Sequence, residues 1–347
     1  MIYELCTLFD RNYLARGLVL YRSLVEEGAD VRLRVFAMDN VVPKILEALA
    51  LPGVEVVTLD ELESLDPRLR AVKEERSAVE YMWTATPAIC RASFARDPDL
   101  EEITYLDADL MFHADPRPIF DESGASAVTI VPHRYAPRWR FYEATNGVYN
   151  VEWLTFRRTE AGLAALEWWY DRCLEWCYAV AEDGKFGDQK YLDDWPERFE
   201  GVHVLEQPGA GLAPWNVENY RLSRGDGSGE IQVDGKPLVF HHYHGGRVLR
   251  PGSSLERLGT RLGLYEPIPG YEASLRWHPG YPFSEAERTL LWRPYMERVA
   301  RAYDEIRTVD PSFEAGVGQP RVRDFAFSAR SRLRGLVSSR RYRRAVE

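Results

Sequence analysis

The chain has 347 residues, 45% of them hydrophobic, and a formal net charge of −10. That length supports one large α/β domain with additions, or two domains, and the acidic balance argues against a general nucleic-acid binder. Cys6, Cys90, Cys173 and Cys177 are too few and too scattered for a disulfide scaffold, and no run is long and apolar enough to span a bilayer, so a cytoplasmic protein is expected.

Residues 3–9 read as a buried first strand rather than the basic start of a signal peptide. Asp10-Arg11-Asn12 follows as a loop or helix cap, and residues 13–27 place Leu14, Leu18, Tyr21, Leu24 and Val25 at helical spacing. A strand over 31–38, a helix over 43–50 with Pro43 in its first turn, and a strand over 54–59 come next. Strands alternating with helices predict a parallel sheet with crossovers. Residues 60–80 are charged and irregular, and are expected to be mobile. A helix over 84–95 then leads into the apolar run 102–112.

Further strands are expected over 127–132 and 148–156, and a long helix over 160–180. Cys173 and Cys177 continue the apolar stripe of that helix and lack the CxxC pair of a zinc site. Residues 231–240 read as a hairpin turning at Asp234-Gly235. The Gly- and Pro-rich stretch 245–282 should wrap the surface before a last helix over 284–306. Residues 321–347 hold nine Arg against Asp324 and Glu347, interleaved with apolar side chains. This suits peripheral contact with an anionic membrane, or equally a solvated terminus.

The chemistry concentrates in three places. Asp107 and Asp109 end an apolar strand two residues apart, so both side chains aim at one point beyond its carboxyl end. Paired carboxylates suit a hard divalent cation, which in turn suits a diphosphate. His241, His242 and His244 close a later strand, with His242 and His244 on one face; either could supply a nitrogen ligand to Mn²⁺ or Mg²⁺. In Gly187-Asp188-Gln189, Asp188 suits a helix cap as well as it suits catalysis.

These three elements together resemble a GT-A fold glycosyltransferase, closest to glycosyltransferase family 8. Tyr105-Leu106-Asp107-Ala108-Asp109 matches the metal motif, Asp188-Gln189 the step in the sugar pocket, and His242-Tyr243-His244-Gly245 the late histidine element. The resemblance runs from residue 3 to about 246. It implies a Rossmann-like mixed α/β sheet flanked by helices: a nucleotide-sugar-binding catalytic domain over 1–246, a C-terminal helical extension over 247–320, and a basic tail over 321–347. It implies a hexosyltransferase-like enzyme that moves a sugar from UDP, with retention, to a glycan or lipid-linked acceptor in cell-surface glycan or glycolipid synthesis. A cytoplasmic place, or one at the inner face of the membrane, follows.

By position, the resemblance gives Asp107 and Asp109 to the cation with His242, or with His244 after a one-step shift, and Asp107 also to the ribose. Thr7, Phe9, Asp10 and Tyr13 would hold the nucleoside, Arg91 would reach the donor, Asn150 would bind the sugar, and Asp188 and Gln189 would line its anomeric carbon. Two departures stand out. Glu152 occupies the place of the Gly in an Asn-x-Gly turn, and Gly246-Arg247-Val248 stands where a Lys-Pro-Trp is usual, leaving Arg247 as a replacement contact to the diphosphate. The Leu110-Met111 pair after the second Asp disfavours a haloacid-dehalogenase-like phosphatase. The alternative from another class is a glycan- or nucleotide-sugar-binding protein of transferase descent without turnover.

Overall fold

Strands alternate with helices through the first half of the chain, as the hydrophobic pattern predicts. The structure is a computed structural model and describes residues 1–225, 230–272, 275–278 and 280–322. The basic tail expected over 321–347 therefore lies, beyond Val322, outside the described residues. The first strands are β1 (Ile2–Phe9), β2 (Asp30–Ala37), β3 (Val54–Thr58), β4 (Glu102–Leu106), β5 (Leu110–Phe112), β6 (Val128–Pro132), β7 (Tyr149–Arg157) and β8 (Val202–Val204). All but β5 form one sheet in the order β3-β2-β1-β4-β7-β6-β8. β1, β2, β3 and β4 run parallel, whereas β7 is antiparallel to both β4 and β6, so the sheet is mixed.

The pleat assigns each face its cover. Leu5 and Leu33 face a core shared with the helices Leu14–Glu26 and Arg293–Val309. Cys6, Ile103 and Tyr105 face the helices Ala78–Arg96 and Glu160–Glu175. Tyr295, Val299, Tyr303 and Ile306 sit in one core with Leu14 and Leu18, so the helix Arg293–Val309 packs against the helix Leu14–Glu26. Each fully buried aliphatic side chain among these contributes about 1.5–3 kcal/mol.

Three elements differ from expectation. The irregular, mobile stretch expected over 60–80 is folded. Helices Leu59–Leu65 and Pro67–Ala71 occupy much of it, and Thr58 and Ser77 begin capping boxes with Glu61 and Glu80. Its charges form a network: the buried Glu63 accepts from Arg70 (2.8 Å), Lys73 (2.6 Å) and Tyr81 (2.9 Å). The long helix stops at Glu175, not 180, because Trp176 is extended and its carbonyl takes the Tyr191 hydroxyl at 2.8 Å. The last helix passes through a π turn over Arg288–Trp292 just before Pro294, which has no N–H to donate. The hairpin turn at Asp234-Gly235 is present, both residues having positive φ (51° and 80°) as a tight two-residue turn requires.

Candidate functional site

Parallel pairing of β1 with β4 (Leu5 opposite Thr104, Cys6 opposite Tyr105) brings the ends of both strands to one sheet edge. The Asp10–Tyr13 loop and the Asp107–Asp109 turn therefore lie side by side. β5 continues from that turn and pairs antiparallel with the strand Phe240–His242, setting Leu110 opposite His242. The Tyr243 N–H donates to the Asp109 carbonyl at 3.0 Å, which locks the register. A slip of one residue would turn His242 to the opposite face.

His242 Nε2 consequently lies 3.0 Å from Asp109 Oδ1 and 3.6 Å from Asp107 Oδ2. Its other nitrogen, Nδ1, is 2.5 Å from Glu152 Oε2, on β7. Glu152 is 1% exposed and has room there because Gly211 has no Cβ: one would fall 2.9 Å from Glu152 Oε1 and 2.5 Å from Val131 Cγ2. Burial disfavours a charged His242, but Asp109 and Glu152 together hold it protonated well above its usual range. Asp109, although buried, is held far below the usual carboxylate range by His242. Asp107 is raised by burial, which the His242 charge only partly offsets; its Oδ1 accepts from the Tyr105 hydroxyl at 2.8 Å.

The donor set fits a divalent cation. Ligand atoms of Asp109, His242 and His244 all lie within 4.8 Å of one another, with Asp107 alongside. Glu152 fixes the His242 ring so that Nε2 faces this cluster, the carboxylate–histidine arrangement that orients metal ligands. Mixed oxygen and nitrogen donors suit Mn²⁺ better than Mg²⁺. Both His242 and His244 belong to the cluster, so the geometry does not choose one over the other.

Beside the cluster opens a cavity of about 370 Å³, lined among others by Asp107, His242, His244, Asn150, Asp188 and Gln189. Asp188 makes no side-chain cap to the turn Gln189–Asp194, so capping does not account for it. Its backbone carbonyl takes the Trp169 indole N–H at 2.9 Å, which pins the Gly187-Asp188 turn. Gln189 donates to the Asn146 carbonyl at 2.7 Å. Asn150 bridges the buried His133 ring (2.9 Å) and the Glu152 N–H (2.7 Å). Trp215 stands edge-on to both His242 and His244 at 5.3 and 5.5 Å.

Burial, with the Asp107 charge adding, raises the Asp188 carboxyl to about 8. A carboxyl raised on folding holds its proton more tightly in the folded chain. Its contribution to stability is full below about pH 4 and is lost as pH rises through about 8. Asp188→Asn lacks this loss. Its stability relative to wild type should therefore climb between roughly pH 5 and 8 and level off above. Urea unfolding at several pH values, without added cation, checks this; a constant difference over that interval would mean an ordinary carboxyl.

Other expected residues lie apart from the cavity. Arg91 does not reach it: Glu167 (2.6 Å) and Asp66 (3.2 Å) hold its guanidinium on the far face of its helix. These partners are distant in sequence, which hid them from sequence reasoning. Thr7 and Phe9 are buried; the Phe9 ring packs where a Cβ on Gly17 would sit and belongs to the core, whereas the Thr7 hydroxyl has no hydrogen-bond partner among the described residues. Asp10 shapes its loop by accepting from the Asn12 N–H (2.9 Å) and side-chain amide (2.8 Å). Arg247 donates to the Gln319 carbonyl at 3.0 Å from a strand paired with His278. One contributor was missed: Glu152, which holds the His242 ring, although its replacement of an expected Gly was a signal.

No family model matches the chain. Among solved structures it is similar to the galactosyltransferase LgtC in complex with donor and acceptor sugar analogs, at 16% identity over 71% of this chain and 87% of that chain, with a TM-score of 0.46. It is also similar to mouse xyloside xylosyltransferase 1, at 15% identity over 70% of this chain and 97% of that one, with a TM-score of 0.44. The uncharacterized protein YfnD of Bacillus subtilis is 29% identical over 316 residues, 90% of this chain and 94% of that protein. The uncharacterized protein YfnF of Bacillus subtilis is 33% identical over 250 residues, 70% of this chain and 82% of its own length. At that identity and coverage, the chain belongs to the same family as YfnF.

Proposed function

We propose that the chain is a metal-dependent glycosyltransferase that moves a hexose from a nucleoside diphosphate, UDP, to a hydroxyl of a glycan or lipid-linked acceptor. The observation that carries this reading is the register of β5 against Phe240–His242, which sets His242 Nε2 3.0 Å from Asp109 at the mouth of the cavity. Asp109, His242, His244 and Asp107 would hold Mn²⁺ or Mg²⁺; once bound, the cation supplies the charge that stabilises a departing diphosphate. The chain's own residues do the rest. Glu152 keeps the His242 ring aimed, and Asp188, Gln189 and Asn150 orient the donor sugar in a cavity whose walls are aromatic. Tyr13 and Asp10 border the nucleoside.

We infer retention of configuration with attack on the face of the leaving group, and a role in cell-surface polysaccharide or glycolipid synthesis, from the family 8 resemblance. The division at about residue 246 and membrane contact through the tail belong to the same proposal. Among the described residues no helix is long and apolar enough to cross a membrane.

The test is a thermal-shift screen of nucleoside diphosphates and their sugars with and without Mn²⁺, followed by assay of diphosphate release. A UDP-sugar should raise the melting temperature only with the cation and be turned over. Cation-dependent binding with no turnover of any donor would favour the binding protein, and no nucleotide-sugar binding would sink both.

A further inference from the structure

The usual lysine after the late histidine is absent, and Arg247 is committed to Gln319 in the outer strands. A different cation stands beside the site. Arg16 lies in the first turn of the helix Leu14–Glu26, which starts directly after the Asp10–Tyr13 loop. Its Nη2 donates to the carbonyl of Gly246 at 2.6 Å, two residues beyond His244, and its guanidinium lies over the Tyr13 ring, 4.2 Å from the centroid. It has no carboxylate partner among the described residues, although the charges of both Asp109 and His244 feel it. One of its five N–H donors goes to Gly246 and another engages the Tyr13 hydroxyl, which leaves part of the fork that matches phosphate oxygens for a ligand.

Two further observations point to an anion there. The Tyr295 hydroxyl is buried, has no hydrogen-bond partner among the described residues, and feels the charges of Arg16 and Asp109. The helix that carries Arg16 has no side-chain cap and no acid in its first turn, so nothing on it offsets the positive end of its dipole. Arg16, the helix start and the cation cluster thus surround one place between the nucleoside loop and Asp109. A singly charged group would not need this many positive partners; a diphosphate would use them.

We propose that Arg16 grips the diphosphate of the donor, taking the place of the absent lysine; this rests on the nucleotide-sugar reading above. Calorimetric titration of the full chain with UDP and with uridine, each with Mn²⁺, tests it. Arg16→Gln and Arg16→Met both remove the charge at similar length, and either one that folds decides the matter. UDP affinity should fall about 10- to 100-fold, the loss expected for hydrogen bonds to a charged group, with uridine affinity unchanged. Arg247→Gln should bind UDP as wild type does. Wild-type UDP affinity in a folded Arg16 variant would overturn the assignment and leave the nucleotide-sugar reading standing. So would an equal loss of uridine affinity, which would mean that Arg16 only shapes the nucleoside loop. Failure of the wild-type chain to bind UDP at all would overturn both.

Discussion

Asp109→Asn is expected to lose about 10²–10³-fold in sugar-transfer rate, the scale of removing one group that stabilises charge in a transition state. It should also lose most of its affinity for Mn²⁺. The substitution keeps size and removes only the charge and one oxygen, so the β5 register, held by the Tyr243 N–H on the Asp109 carbonyl, is untouched. The side chain itself is buried 3.0 Å from His242 Nε2, where it is both a member of the ligand cluster and the main charge facing that ring. Initial rates on the donor found by screening, together with a calorimetric Mn²⁺ titration, measure the two losses separately. Unchanged Mn²⁺ affinity would remove Asp109 from the ligand set. A lost rate with affinity intact would assign it to orienting His242 instead. Asp107→Asn should be milder for the cation, because one Asp107 oxygen is already taken by Tyr105 and the other stands 3.6 Å from His242.

What the sequence made legible was local. Asp107 and Asp109 could be found because an apolar strand leads into them, but they stand in the turn between β4 and β5, so the turn and not strand alternation brings their side chains together; Asp234-Gly235 could be placed because positive φ has few sequence solutions. Residues 60–80 were misjudged because their charges looked solvated. Glu63 is buried only because Arg70, Lys73 and Tyr81 converge on it, and convergence is a tertiary fact. Arg91 failed for the same reason in reverse: its charge was read as aimed at a ligand, whereas Glu167 lies 76 positions away in sequence and claims it. Arg16 carried no signal, since an arginine in a first helical turn is ordinary on a surface. It gained meaning only when Gly246 arrived 230 positions later.

Glu152 is the case where a departure from the family pattern carries the prediction. In place of a glycine, the chain puts a buried carboxylate under His242, and Gly211 leaves the space for it. Removing one partner of a buried ion pair costs about 3–5 kcal/mol, and loss of the group that orients a metal-binding histidine costs about 10- to 100-fold in metal affinity. Glu152→Ala should show both losses. It strips Nδ1 of its acceptor and leaves the ring free to turn away from Asp109. Glu152→Gln should separate them: the amide oxygen still accepts from Nδ1, so the ring stays aimed and more stability survives, while the charge that helps to hold His242 is gone. The order of Mn²⁺ affinity expected is therefore wild type, then Gln, then Ala, with urea midpoints falling in the same order. Equal Mn²⁺ affinity in all three would show that the His242 ring is set by other contacts, with Trp215 at its edge as the nearest candidate. An affinity loss in Ala without a stability loss would mean that the chain tolerates a partnerless His242, and the buried pair would then serve the cation alone.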